Sequence, residues 1–297
     1  MLNFALRNLV LFFKDKTAVV LSFLAEFIVV GLYILFMRDN LISGFAGVTE
    51  VETLLDAWMI AGLMGITPLT TTMGAYAIMV EDKAKKIARD FMTSPMHKSS
   101  LFTGYMLSAV IIGMCMSLLL LGLSAVYMYV CHEAKLLVTD MVDLLYVMGM
   151  NTLASASLVL FLVSFIKTSN ALAACCTIMG ALIGFLTGIY LPVGSLPKGV
   201  GTLVKCFPIS HGVALFRRLL TEPFLEDSFG SMQSEGAVEF AEYMGVRYYF
   251  DGQIFDEKNS LLLLMGTVVV FLVVTVFCCR EMNDHGFDEL WKKIFDR

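Results

Sequence analysis

The sequence predicts an all-α, polytopic membrane protein with six transmembrane helices, an N-terminal interfacial helix, and a re-entrant helical hairpin between the fifth and sixth spans. Three observations carry this expectation. The 297 residues are 58% hydrophobic and only 16% charged, with a mean hydropathy of +0.79. A soluble domain is about half apolar and about one quarter charged. Six apolar runs approach the roughly 20 residues that a helix needs to cross a hydrocarbon core. Period-two alternation is absent from these runs, and backbone groups in lipid must be bonded within the segment, so helices are expected and not strands.

The elements follow in chain order. Leu2–Phe13 scatters apolar residues among Asn3, Arg7 and Asn8, and reads as a helix on the inner membrane surface within an interfacial segment, residues 1–16. Thr17–Met37 is the first span, with Glu26 its only charge. Trp58–Val80 and Leu101–Cys131 are the second and third, both uncharged, the latter long enough to tilt. Leu144–Ile166 and Ala171–Leu191 are separated by a short turn at Lys167–Asn170, and Leu261–Cys279 is the last span. Residues 81–100 form a basic loop. Residues 192–220 are apolar but interrupted by Pro192, Gly194, Pro197, Gly199, Gly201 and Pro208, which suits two half-helices dipping back into the membrane. Residues 221–260 form an acidic outer module, with nine acids against Arg247 and Lys258. Within it, Ser234-Glu235 opens a short capped helix that ends near Gly245.

Six spans put both termini on one side. If that side is cytoplasmic, it carries 13 of the Lys and Arg residues and the outside carries 8. Six of those 8 lie in the long segment before the last span, where charge has little influence on orientation. The short outer loops hold only Arg38 and Lys135, so cytoplasmic termini are expected. No cleavable signal pattern opens the chain. The seven cysteines show no metal-ligand spacing, and a Cys131–Cys206 pairing stays open.

Several residues stand out within the spans. Pro68 removes a hydrogen bond from the second helix, and Thr67, Thr70, Thr71 and Thr72 either bond the freed carbonyls or face a wet path. Gly180, Gly184 and Gly188 recur every four residues in the fifth span, giving a flat face for close packing or for a moving gate. A lone acid in mid-membrane, Glu26 must face protein or water or stay protonated. It is either a polar contact in a pathway or a structural bond to Asn151, Ser155 or Ser157 of the fourth span. His211 reads as a local hydrogen-bond partner, and Arg217-Arg218 as a lipid-phosphate contact or an anchor for the half-helices.

The loop from Glu81 to Pro95 can form about three helical turns, with Ala84, Ile87, Ala88 and Phe91 on one stripe among basic residues. Such a helix either rests on headgroups or inserts an apolar knob into a soluble partner. In order along the chain come an interfacial helix, an acidic residue opening this loop (Glu81), a closing Ser94-Pro95 and Gly188-Ile-Tyr-Leu-Pro192. Leu196-Pro197, Phe207-Pro208 and Arg217 complete the series. The set resembles the type-2 ATP-binding-cassette (ABC) transporter permeases over nearly the whole chain. The acidic module is longer than in simple members of that family.

The resemblance implies a permease subunit, not itself an enzyme, that exports an amphipathic or lipid-like compound such as a drug, natural product or lipid across a bacterial plasma membrane. Glu81, Ile87, Phe91 and Pro95 would couple it to a cognate ABC ATPase subunit that binds ATP and Mg. A second permease copy, identical or paralogous, would complete the pathway, mainly through the second and fifth spans. Glu26, Thr67, Pro68, Thr71, Gly180, Gly184 and Gly188 would line or pack that pathway, while Pro192, Pro197, Pro208 and Arg217 shape the re-entrant segment. Membrane lipids are implied as further partners, and nucleic acid is not. The sequence has no Gly-x-x-x-x-Gly-Lys-[Ser/Thr] phosphate cradle, so the fuel is expected from another chain. A secondary transporter or channel and a non-transporting immunity or scaffold protein are the rival readings.

Overall fold

The computed structural model describes residues 2–45, 47–85, 87, 98–132, 141–231, 234–250 and 253–285. Its architecture is all-α, with six helices among the described residues long and apolar enough to span a membrane. The second span is Val51–Ala84, the third Lys98–His132, the fourth Met141–Ser164, the fifth Ser169–Leu186 and the sixth Glu257–His285. The first is a run of short pieces, Lys16–Ser22, Leu24–Leu32, a π-helical turn Tyr33–Met37 and Arg38–Gly44. It extends past Met37 because Arg38 finds carboxylates on the second span (below). Helix Leu2–Lys14 precedes it.

Burial sorts the spans. The most apolar stretch of the second span is 78% buried and that of the fourth 72%, against 17% for the fifth and the sixth and 11% for the first. The second and fourth spans are therefore the core. The other three present Phe27, Ile28, Leu35, Ile178, Leu182, Val269, Val273 and Phe277 outward, as lipid-facing helices do. Small residues on the second span set its closest approaches. A Cβ on Gly65 would lie 2.3 Å from Val213 Cγ2 and 2.9 Å from its Cα, so only glycine fits where these two backbones meet.

Val213 belongs to a bent pair of helices, Lys198–Cys206 and Pro208–Phe229, which meet at 87°. Pro197 opens the first and Pro208 the second, where a missing N–H costs nothing and φ is preset. The two arms are unequal in length. The longer runs past Leu220, packs against the second, fourth and sixth spans, and buries Ile209 to Phe216 without a gap. The acidic module then returns over one end of the bundle as a helix, Glu235–Tyr243, and a two-stranded hairpin, Tyr249–Phe250 with Gln253–Ile254. Ser234 caps the helix by accepting from the Ala237 amide at 3.3 Å. Ala237, Phe240, Ala241 and Met244 are buried, and the Phe240 ring stacks on Phe45 at 5.0 Å. The module is a lid on the core and not a solvated appendage. The bundle thus has a loop end, where Ala84 leads into residues 85–97, and a module end.

Candidate functional site

At the loop end, the stem of the basic loop is clamped to the N-terminal helix. Arg7 donates from Nη1 and Nη2 to the two carboxylate oxygens of Asp82, at 2.8 and 2.9 Å. The Tyr105 hydroxyl of the third span donates to the same carboxylate at 2.7 Å. Asn8 and Ser108 add a second bridge at 3.4 Å, and Phe4 seats its ring edge-on against Tyr105. Hydrogen bonding to Asp82 raises the Arg7 pKa above its ordinary value, so the pair stays ionic. Helix Leu2–Lys14 is therefore anchored through Phe4, Asn8 and Phe12, all buried, rather than lying free on a surface. Glu81 is exposed and pairs with Lys85, one turn on. Ile87 is helical and half-buried. Phe91 and Pro95 lie outside the described residues.

In the middle of the bundle, Glu26 is buried and accepts from Thr70 Oγ1 of the second span at 2.9 Å. Its partner is not on the fourth span, as one reading of the sequence expected. Asn151 instead donates to the Gly65 carbonyl at 2.8 Å, Ser157 bonds its own helix at Ala154, and the Ser155 hydroxyl is unpartnered. Thr67, Thr71 and Thr72 return their hydroxyls to carbonyls of their own helix, at Leu63, Thr67 and Pro68, and are fully buried. The helix runs through Pro68 unbroken. Thr70, half-buried, lines a cleft. That cleft, of about 310 Å³, lies between the first, second and fifth spans and is lined by Ser22, Thr70, Met73, Gly74, Met179 and Gly180 among others.

The three glycines of the fifth span do not share one flat face. Gly180 has open space where a Cβ would stand. At Gly184 a Cβ would fall 2.2 Å from the ring of Tyr190, which folds back from the following turn. Gly188 lies beyond the helix end, with φ of +65°. Ile189 N bonds Gly184 O at 2.9 Å and Gly188 N bonds Phe185 O at 3.3 Å, the paired bonds of a glycine C-cap. The four-residue spacing mixes a packing glycine, a cap glycine and an open one.

At the module end the same cap recurs. Gly245 has φ of +67°, with Val246 N on Ala241 O and Gly245 N on Glu242 O. Arg217, fully buried, reaches both caps: Nη2 donates to Gly188 O at 2.7 Å and Nη1 to Met244 O at 3.1 Å. Among the described residues no carboxylate partners it; two carbonyls at helix ends, near the negative pole of each helix, do so instead. Arg217 is thus an anchor within protein and not a lipid-phosphate contact. Neighbouring Arg218 pairs with Glu222 and Glu257. Pro192 starts the turn Val193–Ser195, whose Val193 side chain packs between the two cap glycines. Buried His211 bonds Lys205 O and Ser260 Oγ, at 2.8 and 3.2 Å, as a local partner.

A second polar node at this end was not apparent from the sequence. Asp56, fully buried, accepts from the hydroxyls of Tyr33 and Tyr127, each at 2.8 Å, and from Arg38 at 3.4 Å, and pairs with His132 at 2.7 Å. Arg38 also pairs with Glu52 at 2.6 Å. The π-helical turn starts at Tyr33, which is buried while Ile34, Leu35 and Phe36 face out. Cys131 and Cys206 are both unpaired.

No curated protein matches the chain. The family model described as "ABC-2 family transporter protein" matches residues 40–277, from the end of the first span into the sixth.

Proposed function

The chain belongs to the ABC-2 family of transporter proteins, and on that premise we propose that it is the permease of an exporter powered by ATP hydrolysis in a separate subunit. Membership makes it an ABC transporter membrane subunit with an ABC ATPase as partner in general. The cargo, the direction of transport and the coupling route are our reading. The observation that carries the reading is the clamp of Arg7 and Tyr105 on Asp82. Asp82 stands at the root of the loop on the second span. A push on the loop would reach the N-terminal helix and the second and third spans together.

In this mechanism the ATPase pair binds ATP and Mg and closes, and the loops of two permease copies, docked through Glu81, Ile87, Phe91 and Pro95, move with it. Each loop drives its clamped stem, and the bundle opens on the module side. Cargo moves only if its affinity differs between the two states, so a surface that alternates is required. The cleft of Thr70 and Gly180, between the first, second and fifth spans, supports that role. Two copies facing each other there would enclose it. Amphipathic or lipid-like cargo suits its apolar walls. Both termini and the loop would be cytoplasmic in a bacterial plasma membrane, with residues 221–260 outside.

The test is co-purification with a candidate ABC ATPase subunit co-expressed with this chain. Wild-type permease should retain it, and Phe91→Asp should lose it while inserting normally in the membrane. Retention by Phe91→Asp would make the loop a headgroup anchor. No ATP-dependent transport in vesicles holding both subunits would favour a non-transporting role.

A further inference from the structure

A second cavity, of about 170 Å³, lies between the first, second and third spans. Phe23, Glu26, Phe27, Met59, Leu123 and Tyr127 are among its walls, and among the described residues Glu26 is the only charged one that lines it. One oxygen of Glu26 is engaged by Thr70, but the other, Oε2, is buried without a hydrogen-bond partner. The nearby Thr67 hydroxyl is committed to Leu63 O. A buried carboxyl oxygen left unmatched is costly, so the group either holds a proton or meets a ligand that supplies a donor and an opposite charge. Three aromatic rings, Phe23, Phe27 and Tyr127, line the same space, and their faces attract cations.

We propose that this cavity binds the ammonium end of an amphiphilic amine, with the charged nitrogen on Glu26 Oε2 and the apolar body among the rings. The cavity slightly exceeds the engineered apolar void of about 150 Å³ that takes benzene, so one aromatic ring or a short alkyl segment fits. An N–H donor satisfies the orphan oxygen and an opposite charge meets the carboxylate, which a neutral ligand would do only in part. As a statement about cargo, this rests on the exporter reading. As a binding site it stands without it, because neither ATP nor a second subunit enters the geometry.

The test uses the full chain in phosphatidylcholine nanodiscs with tritiated 4-phenylbutylamine, empty discs correcting for partition into lipid. Saturable binding is expected, at least tenfold weaker in Glu26→Gln, and partly kept in Glu26→Asp. Leu123→Trp, which fills the space from an exposed edge, should abolish it. On the wild type, where misfolding is not in question, 4-phenylbutanol should compete at least tenfold less well than the amine. Equal competition by the alcohol, or unchanged binding in Glu26→Gln, overturns the proposal. So does an equal loss in Asp39→Asn, whose carboxylate lies outside the cavity, because diffuse surface charge would then be responsible. Adding phosphatidylethanolamine separates the sources of the ammonium: competition points to a lipid headgroup, and its absence to a soluble amphiphile. Failure of amine binding in a protein that still co-purifies with its ATPase and transports removes this site alone. Amine binding without ATP-dependent transport removes the exporter reading alone.

Discussion

The guanidinium of Arg217 lies 4.4 Å above the ring of Trp58, and both side chains donate to the carbonyl of Met244, Trp58 Nε1 at 2.8 Å and Arg217 Nη1 at 3.1 Å. All three residues are buried. The contact joins the second span, the long arm of the bent pair and the acidic module, and through Gly188 O it adds the end of the fifth span. Stacking suits the planar guanidinium, and its rigid fork serves the two carbonyls from two separate nitrogens, whereas the three donors of an ammonium converge on one nitrogen that has no plane to stack.

Arg217→Lys should therefore act as a disruptive substitution. One of the two carbonyls loses its donor, and a buried unmatched group costs about 1–3 kcal/mol. A lower thermal midpoint in detergent is expected, with the protease sensitivity of residues 221–260 rising before that of the spans. A midpoint equal to wild type would mean that the caps hold without the arginine. Gly188→Ala and Gly245→Ala should each destabilise too. Both have positive φ, and at both an added Cβ would fall 2.7 Å from Val193 Cγ2.

The clamp at the loop end makes a second prediction, about coupling. Asp82→Asn keeps the shape and an acceptor but removes the charge that meets Arg7. Expected are normal insertion and ATPase co-purification, with cargo-stimulated hydrolysis falling severalfold. A double-mutant cycle of Arg7→Ala and Asp82→Asn, read by thermal unfolding, should return a coupling energy of about 1–3 kcal/mol. Strict additivity would show that the two residues are adjacent but not coupled.

Much of this was legible in the sequence, and what was not has physical reasons. Apolar runs located all six spans because lipid imposes one length and one backbone solution. The Ser234 cap was legible because capping chemistry is local. Asp56 was missed because it stands just outside the run starting at Trp58, where an acid looks solvated. Its partners Tyr33, Tyr127 and His132 are 23, 71 and 76 residues away, and no local pattern records such a meeting. Similarly, the glycine repeat of the fifth span suggested one face because spacing reveals periodicity but not where a helix stops. The chain leaves the helix at Leu186, so Gly188 is no longer on it.

Topology gives the third prediction. In a cysteine-free background, a cysteine at exposed Glu239 should react with an impermeant maleimide on intact cells, and one at Lys85 only after permeabilisation. The bent pair makes this test informative, because the number of spans rises from six to seven if that pair crosses the membrane. With seven crossings the two ends of the chain fall on opposite sides. Labelling of Lys85 but not Glu239 on intact cells would invert the orientation and remove the exporter mechanism.

The last prediction separates two glycines that the sequence put on one face. At Gly184 a Cβ would collide with the Tyr190 ring, so Gly184→Ala must move that ring and should destabilise the fifth span's exit turn. The collision is with a side chain, so Tyr190→Ala in the same chain should recover most of the loss. At Gly180 nothing lies within 4 Å of an added Cβ, so Gly180→Leu should leave the thermal midpoint of the isolated chain unchanged. If the cleft beside Thr70 is the face that meets a second permease copy or the cargo, Gly180→Leu should nevertheless abolish transport in vesicles containing the ATPase. Loss of transport with unchanged stability assigns the open glycine to the pathway. Wild-type transport by Gly180→Leu would place that side of the fifth span against lipid, where a leucine is as welcome as the tails around it.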